Sequence, residues 1–330
     1  MNILVSESIA KDDWVNRMSF VKKSNAMVFL VLNAVMWGST YVWSKMLLSY
    51  LPRFSILFLC SLGGIISTYI LFHRQIKAIP RASLLPSLIV SSFSILSNTF
   101  FMLALQHTSS SNTAFIVQMS VIFTPLLVAL SSGRMPQKRI FGSAFTALAG
   151  LFLITCDFND FHINVGDLLA VCNALFFSLF LTGQNRILGK VDPVHFSFIH
   201  HISNAFVFAA LACVFEVRGL HVERLASPVF AALISVNILF SVVTVLFQSV
   251  AIKHVKPEHA TLIYTLEPVT TLILAWIFMN EQPDGLKSAA GCLLILAAIA
   301  LSVCKPFLPK AGAPRLFRKE LFSERTRQEQ

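Results

Sequence analysis

The sequence predicts an all-α integral membrane protein, with ten transmembrane helices arranged as two inverted five-helix repeats. Three observations carry that prediction. The chain of 330 residues is 55% hydrophobic and only 13% charged, with 30 Phe and a mean hydropathy of +0.72, whereas a soluble domain carries about 25% charged residues. Its apolar positions fall into ten long runs separated by short polar links. Shifting the chain against itself by 147 residues also lays the segment from Ala104 to Pro136 on that from Ala251 to Pro283 without a gap.

A hydrocarbon core about 30 Å thick takes roughly 20 apolar helical residues to cross, which sets the test for each run. After a polar leader, residues 1–25, the runs lie near Ala26–Trp43, Phe54–Phe72, Leu84–Leu105, Thr113–Leu130 and Ile140–Ile154. The second set follows at Leu168–Leu188, Phe196–Phe215, Val229–Ile252, Ala260–Phe278 and Leu286–Val303, and a basic tail occupies 305–330. The two sets define repeats over 26–155 and 166–304. None of the runs shows the two-residue alternation of a barrel strand, and only helices or closed barrels satisfy their backbone groups in lipid. No small-residue cleavage site closes an apolar stretch of signal-peptide length, so the first helix is expected to remain as an uncleaved anchor.

Charge orients the bundle, because Lys and Arg of short loops stay on the cytoplasmic side. With the amino terminus inside, 21 of the 26 basic residues fall on inner segments, and the outer side keeps Lys45, Arg53, Arg218, Arg224 and Lys287. Both termini are therefore expected in the cytoplasm and the chain in a plasma membrane, the bacterial inner membrane. Topology accounts for the net charge of +10, and basic residues scattered over loops do not make a nucleic-acid surface. The tail is read either as a solvated stop-transfer segment or as a strip lying on anionic lipid. The six cysteines, Cys60, Cys156, Cys172, Cys213, Cys292 and Cys304, lack the paired spacing of a zinc site. Neither metal, cofactor nor disulfide framework is expected.

The shift of 147 pairs Ala104 with Ala251, His107 with His254, Thr124 with Thr271 and Pro136 with Pro283, and a shift of 140 sets "LNAVMWGS" from Leu32 on "CNALFFSL" from Cys172. Five is an odd number, so the second copy inserts upside down. The charges agree: the link His107–Ser111 has no Lys or Arg, while its counterpart carries Lys253 and Lys256. Inverted repeats are an architecture of secondary transporters, in which exchanging the shapes of the halves moves the opening from one face to the other.

With these motifs in view, "WGSTYVWSK" in the first helix, "SSSNTAF" opening the fourth and "HATLIYTLEPV" in the ninth followed by "NEQP", the chain resembles EamA-type members of the drug/metabolite transporter superfamily from about Ala26 to Cys304. It departs from the family pattern at Val121, which aligns with Pro268, at Gly133-Arg134 in place of a Gly-Glu pair, and at Phe177-Ser178 in place of an aromatic-glycine pair. The resemblance implies ten spans in two halves, a cavity lined by helices one, three, four, six, eight and nine, and a structural role for Glu-Pro in helix nine.

Glu267 is the charge that most needs explaining. At 1.5 Å per residue from Pro257 it lies about 15 Å along its helix, near the bilayer midplane. Pro268 withdraws a donor from the Tyr264 carbonyl and predicts a kink there. An acid at that depth costs roughly 2.5–3.5 kcal/mol, while each Leu or Ile returns about 0.3–0.6. The helix therefore tolerates Glu267 either as a protonated group bonded to a neighbour or as a group that exchanges a proton during transport. Asn98, Gln118, Asn173 and Gln248 would leave amides unsatisfied in lipid, so they are expected to face inward as ligand contacts or interhelical bonds. Trp37 and Tyr264 offer flat walls for an organic substrate, the alternative being that the Trp serves as an interface anchor or in packing. His200 and His201 form either a proton relay or one packed and one pocket-facing ring. Lys45 snorkels to the outer surface. Gly142, Thr146 and Gly150 form a small-residue stripe that allows close packing with another helix or a second copy of the chain.

The function these features predict is a secondary transporter that exports a small organic metabolite or drug-like compound, of amino-acid or nucleobase type, by alternating access. The expected partners are the lipid bilayer, that substrate and a homodimer mate. A membrane-embedded acyltransferase and a non-transporting receptor or scaffold are the alternatives. The first would use the His-x4-Asp spacing of "HINVGD", His162–Asp167, yet 9 His and 7 Asp in 330 positions give about 0.2 such matches by chance. No Walker loop, Gly-x-Ser-x-Gly or His-Glu-x-x-His supports an enzyme or an ATP-driven pump.

Overall fold

The structure is a computed structural model that describes residues 23–133, 135, 137–155, 164–216, 225–280 and 285–303. Residues 1–22 of the leader, the tail, His162, and the bulk of the "NEQP" stretch lie outside those residues. Among the described residues there is no strand. The helices are α1 (Lys23–Leu47), α2 (Arg53–Ile76), α3 (Arg81–His107), α4 (Ser110–Val117), α5 (Ser120–Ser132) and α6 (Lys138–Thr155), followed by α7 (Val165–Ile187), α8 (Pro193–Phe215), α9 (Pro228–Ile252), α10 (Pro257–Tyr264), α11 (Glu267–Met279) and α12 (Gly285–Val303). Eight described segments are long and apolar enough to cross a membrane: α1, α2, α3, α4 with α5, α7, α8, α9, and α10 with α11. A shorter apolar stretch, Gly285–Leu301, lies in α12.

Local chemistry sets the ends. The Ser109 hydroxyl accepts from the Asn112 amide at 3.0 Å and starts α4. Asn164 and Asp167 form a reciprocal capping box at α7, which gives Asp167 a structural role. Prolines at the first turn start α8, α9 and α10, where the missing N–H has no helical partner to lose. Gly133 (φ 65°) and Asn280 (φ 58°) close α5 and α11 in the left-handed conformation.

The helix bounds repeat. Adding 147 to Ser110, Val117, Ser120 and Ser132 gives 257, 264, 267 and 279, the bounds of α10 and α11. The same step carries the starts of α3 and α6, 81 and 138, to those of α9 and α12, 228 and 285. A step of 140 carries the start of α2, 53, to that of α8, 193. The packing has the same exchange symmetry. The tightest neighbours are α3 with α7, α6 with α12, α2 with α8 and α1 with α9. Swapping the halves turns the first pair into the last and leaves the other two unchanged.

Small residues bring these pairs together. Ser87, Ser91, Ser94 and Ser97 run along one buried face of α3. A Cβ on Gly150 would meet the Gly291 carbonyl at 2.6 Å, so the stripe on α6 is used at that point by α12 of the same chain, while Gly142 has nothing within 4 Å. Outward surfaces are oily, with Ile70, Leu130 and Phe206 67%, 84% and 77% exposed. That distribution, polar small residues within and large apolar ones without, suits lipid as the surrounding solvent.

Two buried clusters fill opposite ends of α1 and α7. One gathers Ala26 and Leu30 from the start of α1, Leu181 and Leu188 around the end of α7, and Ile252 and Tyr264. The other gathers Tyr41 and Leu47 from the end of α1, Ala170 from the start of α7, and Leu105 and Val117. Equivalent positions in the two halves fall in different clusters: Tyr41 and Leu181 are 140 apart, and Leu105 and Ile252 are 147 apart.

Candidate functional site

Between the two clusters lies a cavity of about 180 Å³ walled by α1, α2, α3, α4, α7, α8, α9 and α11. Trp37, Tyr41, Phe101, Phe177, Phe180 and Phe208 supply its aromatic walls, and Asn98, Asn173, Asn204 and Asn237 its amides. His200 and His201 also line it, and among the described residues Glu267 is its one acid and no Lys or Arg lines it.

The interruption in the ninth run places that acid. Thr265 and Leu266 separate α10 from α11, and Glu267 opens α11. Pro268 suits this break, since it has no N–H to donate to Tyr264, but it is not what the break requires. The fourth run was expected to be continuous and is not: α4 ends at Val117 and α5 starts at Ser120 although Val121 stands where the proline would be. There the backbone tightens into i→i+3 bonds, from Gln118, Met119, Val121 and Ile122 to Phe115, Ile116, Gln118 and Met119 at 2.9–3.0 Å.

Glu267 is 3% exposed. Its Oε2 accepts from the Tyr41 hydroxyl and from Gln118 Nε2, each at 3.2 Å, and its Oε1 has no protein partner. Gly38 makes the contact with α1 possible, because a Cβ there would lie 2.5 Å from the Glu267 carbonyl and 2.7 Å from Thr270 Cβ. The Thr271 hydroxyl donates to the Gly38 carbonyl at 2.7 Å and locks the crossing. The other half repeats the crossing without the acid: the Ser178 hydroxyl, 140 positions from Gly38, lies 3.5 Å from the carbonyl of Ser120, 147 positions from Glu267.

The residues predicted for the site divide into two groups. Trp37, Asn98, Asn173 and Glu267 line the cavity. Asn173 is anchored by donating to the Ser97 carbonyl and hydroxyl at 2.6 and 3.0 Å, and Asn98 donates to Ser94 Oγ at 3.3 Å. Gln118, Gln248 and Tyr264 lie behind that surface. Gln118 holds Glu267. Tyr264 is fully buried against Trp37 and Phe177, at ring-centroid distances of 5.2 and 6.1 Å. Its hydroxyl accepts from Asn33 Nδ2 at 3.1 Å and donates to Gln248 Oε1 at 3.2 Å. Gln248 then donates to Gln184 at 2.5 Å, and Gln184 to Ser249 at 2.8 Å. This chain ties α1, α10, α9 and α7 together on one side of the cavity.

Sequence reasoning passed over Gly38, Tyr41, Asn33, Gln184, Asn204 and Asn237. The amides satisfy the criterion that selected Asn98 and Gln248, polar groups inside apolar runs, and Gly38 and Tyr41 stand inside the "WGSTYVWSK" motif. The His201 ring occupies space that a Cβ on Gly64 would enter, at 2.4 Å from Nδ1. His201 Nε2 and the hydroxyl of cavity-lining Thr244 have no protein partner. Among the described residues no group of His, Cys, Asp and Glu is arranged to hold a metal ion.

The chain is similar to known proteins. An uncharacterized transporter of Archaeoglobus fulgidus is 25% identical over 296 residues, covering 86% of this chain and 98% of the relative. The pseudopaline exporter CntI of Pseudomonas aeruginosa is 23% identical over 258 residues, covering 77% and 88%. The uncharacterized transporter YyaM of Bacillus subtilis is 20% identical, covering 84% and 93%. A solved crystal structure has the same fold at a TM-score of 0.68 and 18% identity, covering 86% of this chain and 97% of that one. The model of the EamA-like transporter family matches residues 24–156 and 164–304. With both matches, transporters as relatives and apolar helices throughout, this multi-pass membrane protein belongs to the EamA-like transporter family.

Proposed function

We propose that the chain is a secondary carrier that exports a small organic metabolite by alternating access through ten spans in two inverted repeats, over 26–155 and 166–304. One observation carries this reading: the cavity lies between two buried clusters whose members exchange under the steps of 140 and 147. Related positions at opposite ends give two states of similar energy, in which one end packs while the other opens. With both termini in the cytoplasm of a bacterial inner-membrane protein, the lining residues fall in the middle and outer parts of the bundle. The chain Asn33–Tyr264–Gln248–Gln184 then closes the inner part. Export is the direction in which the pseudopaline exporter is named, and it comes to this chain by likeness.

Counterflow in proteoliposomes tests the proposal. Vesicles loaded with an unlabelled amine, amino acid or nucleobase should accumulate its labelled form above the outside level. An embedded enzyme or a receptor gives turnover or binding without counterflow. Reporter fusions that put the carboxyl terminus in the periplasm would refute the topology.

A further inference from the structure

We propose that Glu267 Oε1 is the seat of a ligand ammonium, and that the transported compound is a monocationic organic amine on a flat apolar body. The inference rests on the carrier reading and narrows its substrate. Three bare polar atoms belong to residues that line one cavity: Glu267 Oε1, His201 Nε2 and Thr244 Oγ1. The carboxyl group is 3% exposed and its other oxygen already has two donors, Tyr41 and Gln118. An N–H donor from the ligand completes the set, and a cationic one gives the stronger, charge-assisted bond. Trp37 and Tyr41, one helical turn apart on α1, both line the cavity and present the ring surfaces that attract a cation and cover an apolar body.

A carboxylate on the same ligand finds no fixed positive charge among the described lining residues. The lining residues include no Lys or Arg, and the Lys45 ammonium at the end of α1 is held by the carbonyls of Leu105 and Thr108. The imidazoles of the lining sit among rings, His200 against Phe180 and Phe196 with centroids 5.5 and 5.7 Å apart. They leave His201 Nε2 for a neutral hydrogen bond. The site thus favours an amine over the corresponding zwitterion or anion.

Four compounds on one indole body separate these classes: tryptamine, tryptophol, tryptophan and indole-3-propionate, titrated calorimetrically into the purified full chain at neutral pH. Tryptamine should bind at least tenfold tighter than tryptophol, and tryptophan and indole-3-propionate no tighter than tryptophol. In Glu267→Gln the tryptamine advantage should vanish while tryptophol affinity stays within about threefold. Tryptophan or indole-3-propionate binding as tightly as tryptamine, an advantage that survives Glu267→Gln, or no binding by any of the four overturns the assignment. If that variant does not fold, the wild-type order decides alone. Tryptamine-selective binding with no tryptamine counterflow would sink the carrier reading and leave the site assignment standing. Counterflow of tryptophan without tryptamine would do the reverse.

Discussion

Gly38→Ala places a methyl group where α1 crosses α11. Its Cβ would stand 2.5 Å from the Glu267 carbonyl oxygen, 2.7 Å from Thr270 Cβ and 3.1 Å from Glu267 Cα. Ordinary contact begins near 3.4 Å, so the helices must part by about 0.9 Å, the difference between 3.4 and 2.5 Å. Two of the opposing atoms are backbone and the third is a Cβ, so no side-chain rotation relieves the clash. Parting by that amount stretches the Thr271–Gly38 bond from 2.7 Å to about 3.6 Å, beyond useful hydrogen-bond length. Overpacking of this kind costs about 1–3 kcal/mol, and a lost interhelical bond in a membrane protein about 0.6 kcal/mol. The better helix propensity of Ala returns up to about 1 kcal/mol. The expected net loss is roughly 1–3 kcal/mol, read as a lower Tm of the purified protein in detergent. Gly142→Ala is the matched control: nothing lies within 4 Å of its Cβ position, so only the propensity gain remains. Thr270→Gly should not rescue Gly38→Ala, because the backbone contact persists. A Gly38→Ala protein that melts with or above Gly142→Ala would refute the reasoning.

Tyr264→Phe leaves Asn33 Nδ2 and Gln248 Oε1 without the partner each has now; a loss of about 1–2 kcal/mol in detergent unfolding is expected, with Gln248→Leu in the same background costing less than in the wild type. Glu216→Ala removes the acceptor of the Phe54 and Ser55 amides and the Ser55 hydroxyl, at 2.8–2.9 Å. It should cost about 2 kcal/mol and raise amide hydrogen exchange in the first turn of α2; unchanged exchange there would count against the cap. Pro268→Ala should leave the break between α10 and α11 in place and change stability by less than about 1 kcal/mol, because α4 and α5 part at the equivalent residues with Val121 in that position. A continuous helix from Pro257 to Met279 in the variant's structure would show that the proline alone makes the break.

Hydropathy and spacing made the helices legible, since burial in lipid imposes the same 20-residue length on every span. The step of 147, read from a few matched side chains, returns in the helix bounds to the residue at α4, α5, α10 and α11. The break within the fourth run was not legible, for it depends on a backbone tightened at Gln118 and Met119 by packing, with no proline or glycine to mark it. The site was legible in part and for a physical reason. An amide in an apolar run announces that it faces inward, but not what it faces, because a protein carbonyl and a substrate satisfy it equally. Asn173 therefore lines the cavity, whereas Gln248 ends in a chain of protein partners.

The two halves share a crossing and differ in its chemistry. At one, Gly38 meets Glu267; at the other, Ser178 meets Ser120. A departure from the family pattern that looked like a missing glycine is thus a different solution to the same contact, in which a hydroxyl approaches the partner backbone. The crossing is present in both halves, while the carboxyl group occurs in one. On the proposed alternating-access reading, a ligand held by that acid would stay with the second half whichever end opens, and the first half would move past it. The asymmetry of Glu267 then fixes which half carries the charge-bearing contacts, and it leaves the aromatic and amide walls to be shared, as Trp37 and Phe177, 140 positions apart, already are in their 5.3 Å edge contact.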